Sequence, residues 1–396
     1  MKQLRLLELS GSPYAMGYAH GLAYRDDIRR YTLGRVELAG SPGWTGHTTS
    51  RADVLALADA CVTEHAAYAP DLLEEVRGTA DATGLSVAEL VITNGFTDFI
   101  DLVYAAAQQR VLTPTPVQPP HPTPPHSREG SGSTPPPQWG RLGGGEQLLT
   151  PQAADDCTAF IVPDSRTADG HGFFGQTWDM HDDSTEFVIL LRGKPDDGPG
   201  YLAFSITGCV GMLGMNEAGI AIGINNLLGG DGQVGVTWPF VVRKALQQTD
   251  IDAALACITE AKLAGAHNYL LFDAEGNGYN VEAMSTHCAV TALDRAAIVH
   301  TNHCLLPPTI QRSRPRTASS QAASEARLAE AQAFLSDGPV SADDLMELTR
   351  RVPVCVRSTP PLHIESCGAA IMRPATSDFW AVWGPPTDGE YEHFRL

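Results

Sequence analysis

Between Thr113 and Gln138 the chain holds ten prolines, and Gly130 through Gly145 adds six glycines. Proline fixes φ and removes a backbone donor, and glycine gives the unfolded chain its widest freedom, so this stretch cannot build a core. It is expected to be an extended tether over 113–150. The tether constrains everything around it, because the residues on either side must form their own elements. Residues 1–112 read as a helical region and 157–396 as a strand-rich region.

The texture on the two sides differs. Ser12-Pro13 reads as an N-cap followed by Pro at the first helical position, opening a helix that runs to Tyr31. Further helices are expected over 52–69, 70–82 and 86–107, the last opening with Ser86 and Glu89 at capping-box spacing. Past the tether, β-favouring runs stand at 158–162, 187–192, 201–206, 220–225, 268–272 and 297–300. Gly276-Asn277-Gly278 marks a hairpin turn. Helices fit at 239–247, 251–264, 321–335 and 341–351, ahead of a last group of short strands. Strand groups alternating with helix pairs predict an α+β fold of stacked sheets covered by helices on both sides.

Composition narrows the function classes. The chain has 396 residues, of which 43% are hydrophobic and 18% charged, enough to bury a substantial core. A formal charge of −19 argues against nucleic acid and anionic membrane surfaces as partners. The first residues carry no apolar signal segment and no run reaches the roughly 18 apolar residues of a spanning helix, so a cytoplasmic location is expected. Eight cysteines stand with no C-x-x-C pair and are read as reduced thiols.

One of them is singled out. Cys157 opens a strand directly behind the tether, after Asp155-Asp156. Cutting the Asp156–Cys157 bond would give Cys157 a free α-amine, with a reference pKa of roughly 7.7–8.0. A thiol attacks carbonyls as thiolate, and a base near operating pH next to it supplies that state. Amine-assisted threonine nucleophiles use the same solution. In the uncut chain the nitrogen is an amide, so cleavage and activation would be one event.

Four motifs carry a family resemblance: Gly11-Ser12-Pro13-Tyr14-x-Met16-Gly17-x-x-His20-Gly21, Cys157-Thr158, Gly175-Gln176-x-Trp178-Asp179 and Val299-His300-Thr301-Asn302-His303-Cys304. In this order they resemble the fungal isopenicillin N acyltransferase family, the acyl-CoA:6-aminopenicillanate acyltransferases of the peptidase C45 type. The resemblance implies an Ntn-hydrolase αββα sandwich and autoproteolytic release of a nucleophilic cysteine from a zymogen. It implies Cys157 as nucleophile, Asp179 in the site, Asn302 as the oxyanion-hole amide, and Thr158, Trp178 and Arg357 on the substrate side. The chain departs from the pattern at Ala15, Ala159 and Ser366-Cys367-Gly368, the last lacking a family arginine.

The expected chemistry is cleavage or transfer of an acyl group at an amide or thioester bond. A Cys157 thioester would form on a small amine or amino-acid derivative. The partners would be a small-molecule acyl donor and an amine or water as acceptor, with the two cleaved chains staying associated. No cofactor or metal is expected, and acyl-CoA enters only as a donor substrate. Two alternatives stand beside this reading. One is a metal-dependent hydrolase built on His300, His303 and Cys304, although neighbouring side chains on a strand point to opposite faces. The other is a non-catalytic binding protein of the same fold.

Overall fold

The structure, a computed structural model, describes residues 3–108 and 157–396. The tether expected over 113–150, the boundary at 112 and Asp156 lie outside the described residues.

The N-terminal part is one strand and a run of helices: β1 (Arg5–Gly11), α1 (Pro13–Ala23), α2 (Arg25–Ala39), α3 (Pro42–Thr45), α4 (Arg51–Tyr68), α5 (Pro70–Thr83), α6 (Val87–Thr93) and α7 (Asp98–Gln108). Ser12 caps α1, its side chain accepting from Ala15 N, and Pro13 follows where its missing N–H costs nothing. Ser86 and Glu89 form the capping box at the head of α6. Two helices expected to be continuous are broken. The first stops at Tyr24, with φ −130° and ψ 33°, and resumes as α2. The second breaks after Thr93, because Asn94 turns its side chain across to the 208–210 turn and Gly95 passes against the Thr237 side chain. Both breaks answer to distant residues.

From Cys157 onward come β2 (Thr158–Val162), β3 (Phe173–His181), β4 (Val188–Pro195), β5 (Tyr201–Ile206), β6 (Leu213–Asn216) and β7 (Ile220–Asn226). Helices α8 (Trp238–Ala245) and α9 (Ile251–Thr259) follow, then β8 (His267–Asp273), β9 (Gly278–Ala283), β10 (Cys288–Ala292) and β11 (Ile298–His300). The chain ends with α10 (Pro307–Ile310), α11 (Ala318–Ser336), α12 (Ala342–Arg350), β12 (Ile364–Arg373), β13 (Asp378–Trp383) and β14 (Glu392–Arg395).

These strands form two sheets, in the orders β1-β4-β5-β6-β7-β8-β9-β10 and β11-β2-β3-β12-β13-β14. Among the described strands only β1 runs parallel to its neighbour, β4, as its long helical crossover permits. Alternation along β2 shows how the layers stack. Cys157, Ala159 and Ile161 enter the core shared with the first sheet, whereas Phe160 and Val162 pack with Ala331, Leu335, Leu345 and Leu348 of α11 and α12. On the far side, Met16 of α1 meets Ile189, Leu191 and Ala203, and α8 and α9 cover β7, β8 and β9. Helix, sheet, sheet, helix: this is the αββα sandwich expected of the chain.

The Gly17-x-x-x-Gly21 part of the N-terminal motif has a packing reason. A Cβ at Gly17 would stand 1.7 Å from Glu75 O, and one at Gly78 would stand 2.2 Å from Tyr14 O. The backbones of α1 and α5 therefore touch. That contact aims His20 inward, where its Nε2 accepts from Gly208 N at 3.1 Å. Asn94 grips the same turn through Gly208 O and Val210 N, and Arg243 donates to Val210 O.

Accepting that hydrogen bond requires a bare Nε2, and burial with the nearby Arg243 pushes the His20 pKa down from 6.5 to about 4. The unfolded chain therefore binds a proton on His20 between pH 6.5 and 4 that the folded chain refuses. The stability this group contributes is full above pH 6.5 and is lost as pH falls toward 4, about 3 kcal/mol in all. Asp101, whose buried carboxyl is raised to about 6, titrates in the opposite sense, so the comparison needs a variant. Urea midpoints between pH 6.5 and 4 are expected to fall less steeply for His20→Gln than for the parent. Parallel slopes would show that His20 does not carry this term.

Candidate active site

Cys157 immediately precedes β2 and is 2% exposed. Its backbone is gripped on both sides. The nitrogen donates to Asn302 Oδ1 at 2.7 Å. The carbonyl accepts from Arg327 Nη1 at 2.7 Å and from Asn225 Nδ2 at 3.2 Å. Arg327 Nη2 also donates to Asn302 Oδ1 at 3.0 Å, and its Nη1 lies 3.3 Å from Thr158 Oγ1. Asn268 Nδ2 donates to Asn225 Oδ1 at 3.3 Å, turning the Asn225 N–H₂ toward Cys157.

Asn302 follows β11 by two residues and is held by its own backbone: its N donates to Ser324 Oγ at 2.9 Å and its O accepts from Arg316 Nη1 at 2.7 Å. Two donors meet the side-chain oxygen, so the amide is oriented with Oδ1 toward Cys157 and Nδ2 donating to Asn226 O at 3.2 Å. The resemblance implies this amide as an oxyanion donor, and here its oxygen faces the Cys157 nitrogen. In the intact chain the Cys157 nitrogen is itself a donor and takes the carbonyl end.

Asp179 sits opposite Ser366 across β3 and β12 and accepts from Ser366 Oγ at 2.6 Å. Ser366 Oγ in turn accepts from Val356 N at 3.0 Å. Alternation puts Asp179 on the same face of β3 as Thr177, while Trp178 and Met180 face the core shared by the two sheets. Thr158 is fully buried, and its N donates to Thr177 Oγ1 at 3.2 Å.

Arg357 is not brought to this place. It lies at the surface, paired with Asp388 at 2.6 Å and donating to Thr387. The buried guanidinium at Cys157 is Arg327, 1% exposed, from the middle of α11. Reading along the sequence passes over it because α11 is rich in Ala, Ser and Glu and looks like a surface helix. Asn225 is also missed, although two polar amides ending an apolar strand are a usable signal.

The His300, His303 and Cys304 group is dispersed in its bonding. His300 Nδ1 lies 2.7 Å from Thr301 O and Nε2 lies 2.9 Å from Glu282 Oε1. His303 Nδ1 lies 2.8 Å from Ser324 Oγ. Burial raises the Glu282 carboxyl, but hydrogen bonds from His300, Thr309 and Leu305 outweigh that and hold it below the usual range. This carboxylate thereby anchors the loop that leaves Asn302. Burial pushes the Cys304 thiol up to about 12 and those of Cys61, Cys209, Cys257 and Cys288 to about 11. Such thiols stay protonated at neutral pH.

Two cavities flank the Cys157–Asn302 pair. On one side Cys157, Trp178, Met180, Met212, Phe96 and Trp238 line an apolar cleft with ≈ 20 Å³ of free volume. On the other, Asn302, Arg314 and Arg316 together with Leu228, Ile310 and Pro315 line a cavity of ≈ 280 Å³ with mixed polar and apolar walls.

Residues 165–351 match the family described as AAT, acyl-coenzyme A:6-aminopenicillanic acid acyl-transferase. The chain resembles that family. The matched span holds Asp179, Asn302 and Arg327 and begins after Cys157. Among curated relatives, the acyl-coenzyme A:6-aminopenicillanic-acid-acyltransferase 40 kDa form of Emericella nidulans is 29% identical over 157 residues, 39% of this chain and 43% of that protein. An uncharacterized protein of Archaeoglobus fulgidus is 24% identical over 310 residues, 73% of this chain and 45% of that protein. Each match thus spans less than half of the relative. Among solved structures, a mutant conjugated bile acid hydrolase from Clostridium perfringens overlaps 61% of this chain and 97% of that chain, at 10% identity and a TM-score of 0.41. A penicillin V acylase from Agrobacterium tumefaciens overlaps 61% and 86%, at 12% identity and a TM-score of 0.38. Overlaps this loose leave the αββα description to rest on the sheets themselves.

Arg327 bridges three acceptors of the site at once, which lysine cannot do because it presents a point charge where arginine presents a fork. Replacing it with Met leaves the Cys157 carbonyl and Asn302 Oδ1 each short of a charged donor. Urea unfolding of Arg327→Met is expected to show a loss of ~3 kcal/mol, with Arg327→Lys recovering only part of it. A loss below about 0.5 kcal/mol would mean that Arg327 does not hold this site together.

Proposed function

We propose that the chain is a cysteine-nucleophile enzyme that breaks or exchanges an acyl bond of an amide or thioester, activated by cutting itself between Asp156 and Cys157. The observation that carries this reading is the Cys157 nitrogen held by Asn302 Oδ1 at 2.7 Å, beside an apolar cleft that Cys157 lines.

In self-cleavage, Cys157 Sγ attacks the Asp156 carbonyl carbon. The C–N bond breaks, an S–C bond forms, and the departing Cys157 nitrogen takes up a proton. Water then hydrolyses the thioester, leaving an Asp156 carboxylate, a free thiol and a free α-amine. In turnover the amine takes the thiol proton while Sγ attacks the substrate carbonyl. Collapse of the tetrahedral oxyanion expels the leaving amine or thiol, which receives that proton. Water gives a carboxylic acid and an amine acceptor gives a new amide, and each restores the thiol.

Asn302 has two parts in this scheme. Its carbonyl keeps one N–H of the α-amine engaged, so that the lone pair is restricted to directions that include Sγ. Its N–H₂, now on Asn226 O, is the nearby amide that can turn to a developing oxyanion. Asp179 acts through Ser366, fixing the strand pair that bears Trp178. The acyl chain enters the apolar cleft, where Met180 and Met212 supply the side-chain mobility that so small a free volume demands. Tyr31, Thr93, Phe96 and Thr97 from the N-terminal part line the same cleft, so the two cleaved chains would share one substrate site. The negative net charge supports small molecules, not nucleic acid, as partners.

Intact-mass analysis of purified protein is expected to give chains of 156 and 240 residues (396 − 156 = 240), whereas Cys157→Ala stays a single chain. Iodoacetamide at neutral pH should then mark Cys157 ahead of the other seven thiols. An alanine variant that still cuts itself at this bond would sink the proposal.

For Asn302→Ala, the cleaved protein should be isolated before kinetics, since the internal acyl shift passes through its own oxyanion. Acylation by an activated ester is expected to slow by about 10²-fold. An unchanged acylation burst would remove Asn302 from the chemistry and leave it a loop-holding residue.

A further inference from the structure

The apolar cleft at Cys157 contains a chemical mismatch. Its three hydroxyls are committed: Tyr31 Oη lies 3.4 Å from Ser184 Oγ, Thr93 Oγ1 2.8 Å from Thr32 Oγ1, and Thr97 Oγ1 2.9 Å from His267 Nε2. Two N–H groups of lining residues are not. Trp238 Nε1 and Asn226 Nδ2 are buried and have no hydrogen-bond partner among the described residues. Both are donors, so what they lack is an acceptor.

The two differ in how they can be satisfied. An amide carries a donor and an acceptor on one planar group, so Asn226 can exchange its ends to suit a neighbour. An indole N–H only donates, and no rotation alters that. Trp238 is also held from both sides. It opens α8, and its N donates to Asp98 Oδ2 at 3.1 Å. The preceding Thr237 is gripped by His65, whose Nε2 lies 2.9 Å from Thr237 Oγ1 and accepts from Thr237 N at 3.2 Å. Pro239 follows with its fixed φ, and the indole packs 5.8 Å from the His267 ring.

A buried N–H without an acceptor costs more than an ordinary hydrogen bond returns. Phenylalanine would supply the same apolar wall at no such cost. Trp238, 6% exposed, stands in the wall of the cleft that takes the acyl chain, so the missing acceptor has a place to arrive from.

We propose that Trp238 Nε1 is a specificity-determining donor, and that the acyl group of the substrate carries an oxygen acceptor, ether or keto, along the chain that enters the cleft. The inference rests on the acyl-cleaving reading above and adds the class of acyl group: oxygen-bearing, not plain alkyl. Against rings, methionines and aliphatic side chains, a chain oxygen loses its water without return. Only where it meets the free N–H is that loss repaid, so one position along the chain is favoured.

The test uses the cleaved, full-length protein with p-nitrophenyl octanoate and its isosteres in which oxygen replaces the methylene at position 3, 4, 5 or 6. Acylation rates of Cys157 are divided by those of the same esters with N-acetylcysteine, which removes differences in intrinsic reactivity. At one position the oxygen-to-methylene ratio of the parent is expected to be one or higher, and to fall about tenfold in Trp238→Phe. At the other positions it should lie below one in both proteins. Because each ratio is taken within one protein, general damage from the substitution cancels. Parent ratios below one at every position overturn the inference, and so do ratios that Trp238→Phe leaves unchanged. If Trp238→Phe does not fold, the parent series decides by itself. Mass analysis separates the two levels: if Cys157 is acylated without a favoured position, the acyl-group assignment alone fails. If no ester acylates Cys157, the acyl-transfer reading fails and takes this inference with it.

Discussion

The hydrogen bond from the Cys157 nitrogen to Asn302 Oδ1 is the contact on which the rest of the site depends. Three elements distant in sequence must meet to make it: the start of β2, the segment after β11, and α11 through Arg327. β11 brings Asn302 close by pairing with β2 in the register His300↔Ala159. Arg327 then ties both ends together, since it donates to the Cys157 carbonyl and to the Asn302 amide oxygen. A buried guanidinium is costly to desolvate unless its hydrogen bonds are satisfied, so its presence here commits α11 to a single docking position.

The N-terminal helices are joined to the site by a second set of buried polar contacts. Gly17 and Gly78 let α1 and α5 touch, and that contact sets His20 against Gly208. Asn94, at the break between α6 and α7, closes on the same turn. The turn lies between Ile206 and Met212, both of which line the cleft at Cys157. Tyr31, Thr93, Phe96 and Thr97 thus make the N-terminal part a wall of the site. A cut before Cys157 would leave that wall attached through packing and hydrogen bonds alone.

The two cavities differ in their walls: the cleft at Cys157 is apolar, and the cavity at Asn302 sets guanidiniums and amides among Leu228, Ile310 and Pro315. Aromatic rings and methionines stand on the side reached by the inward face of β3, and guanidiniums and amides stand on the side reached by the loops after β7 and β11. Strand alternation accounts for the apolar side. Trp178 and Met180 are two residues apart and share the inward face, and Asp179 between them is turned to Ser366 on the other.

Much of this was legible along the chain. The strands at 158–162 and 201–206 have the expected bounds, and the helices expected over 52–69 and 70–82 form at 51–68 and 70–83, within a residue at each end. Local propensity and periodicity suffice for such elements, and four ordered motifs sufficed for the family resemblance. What the sequence could not decide were properties that exist only between elements. Arg327 sits in a helix whose composition reads as solvated, and its burial comes from the docking of α11. Arg357 looks equally eligible in one dimension and lies at the surface beside Asp388. The orientation of the Asn302 amide depends on donors 145 and 25 residues away. The sequence by itself determined the elements, their order and the residues able to do the chemistry. The tertiary structure decided which of those residues touch, because contact, burial and hydrogen-bond direction arise only when distant segments share the same space.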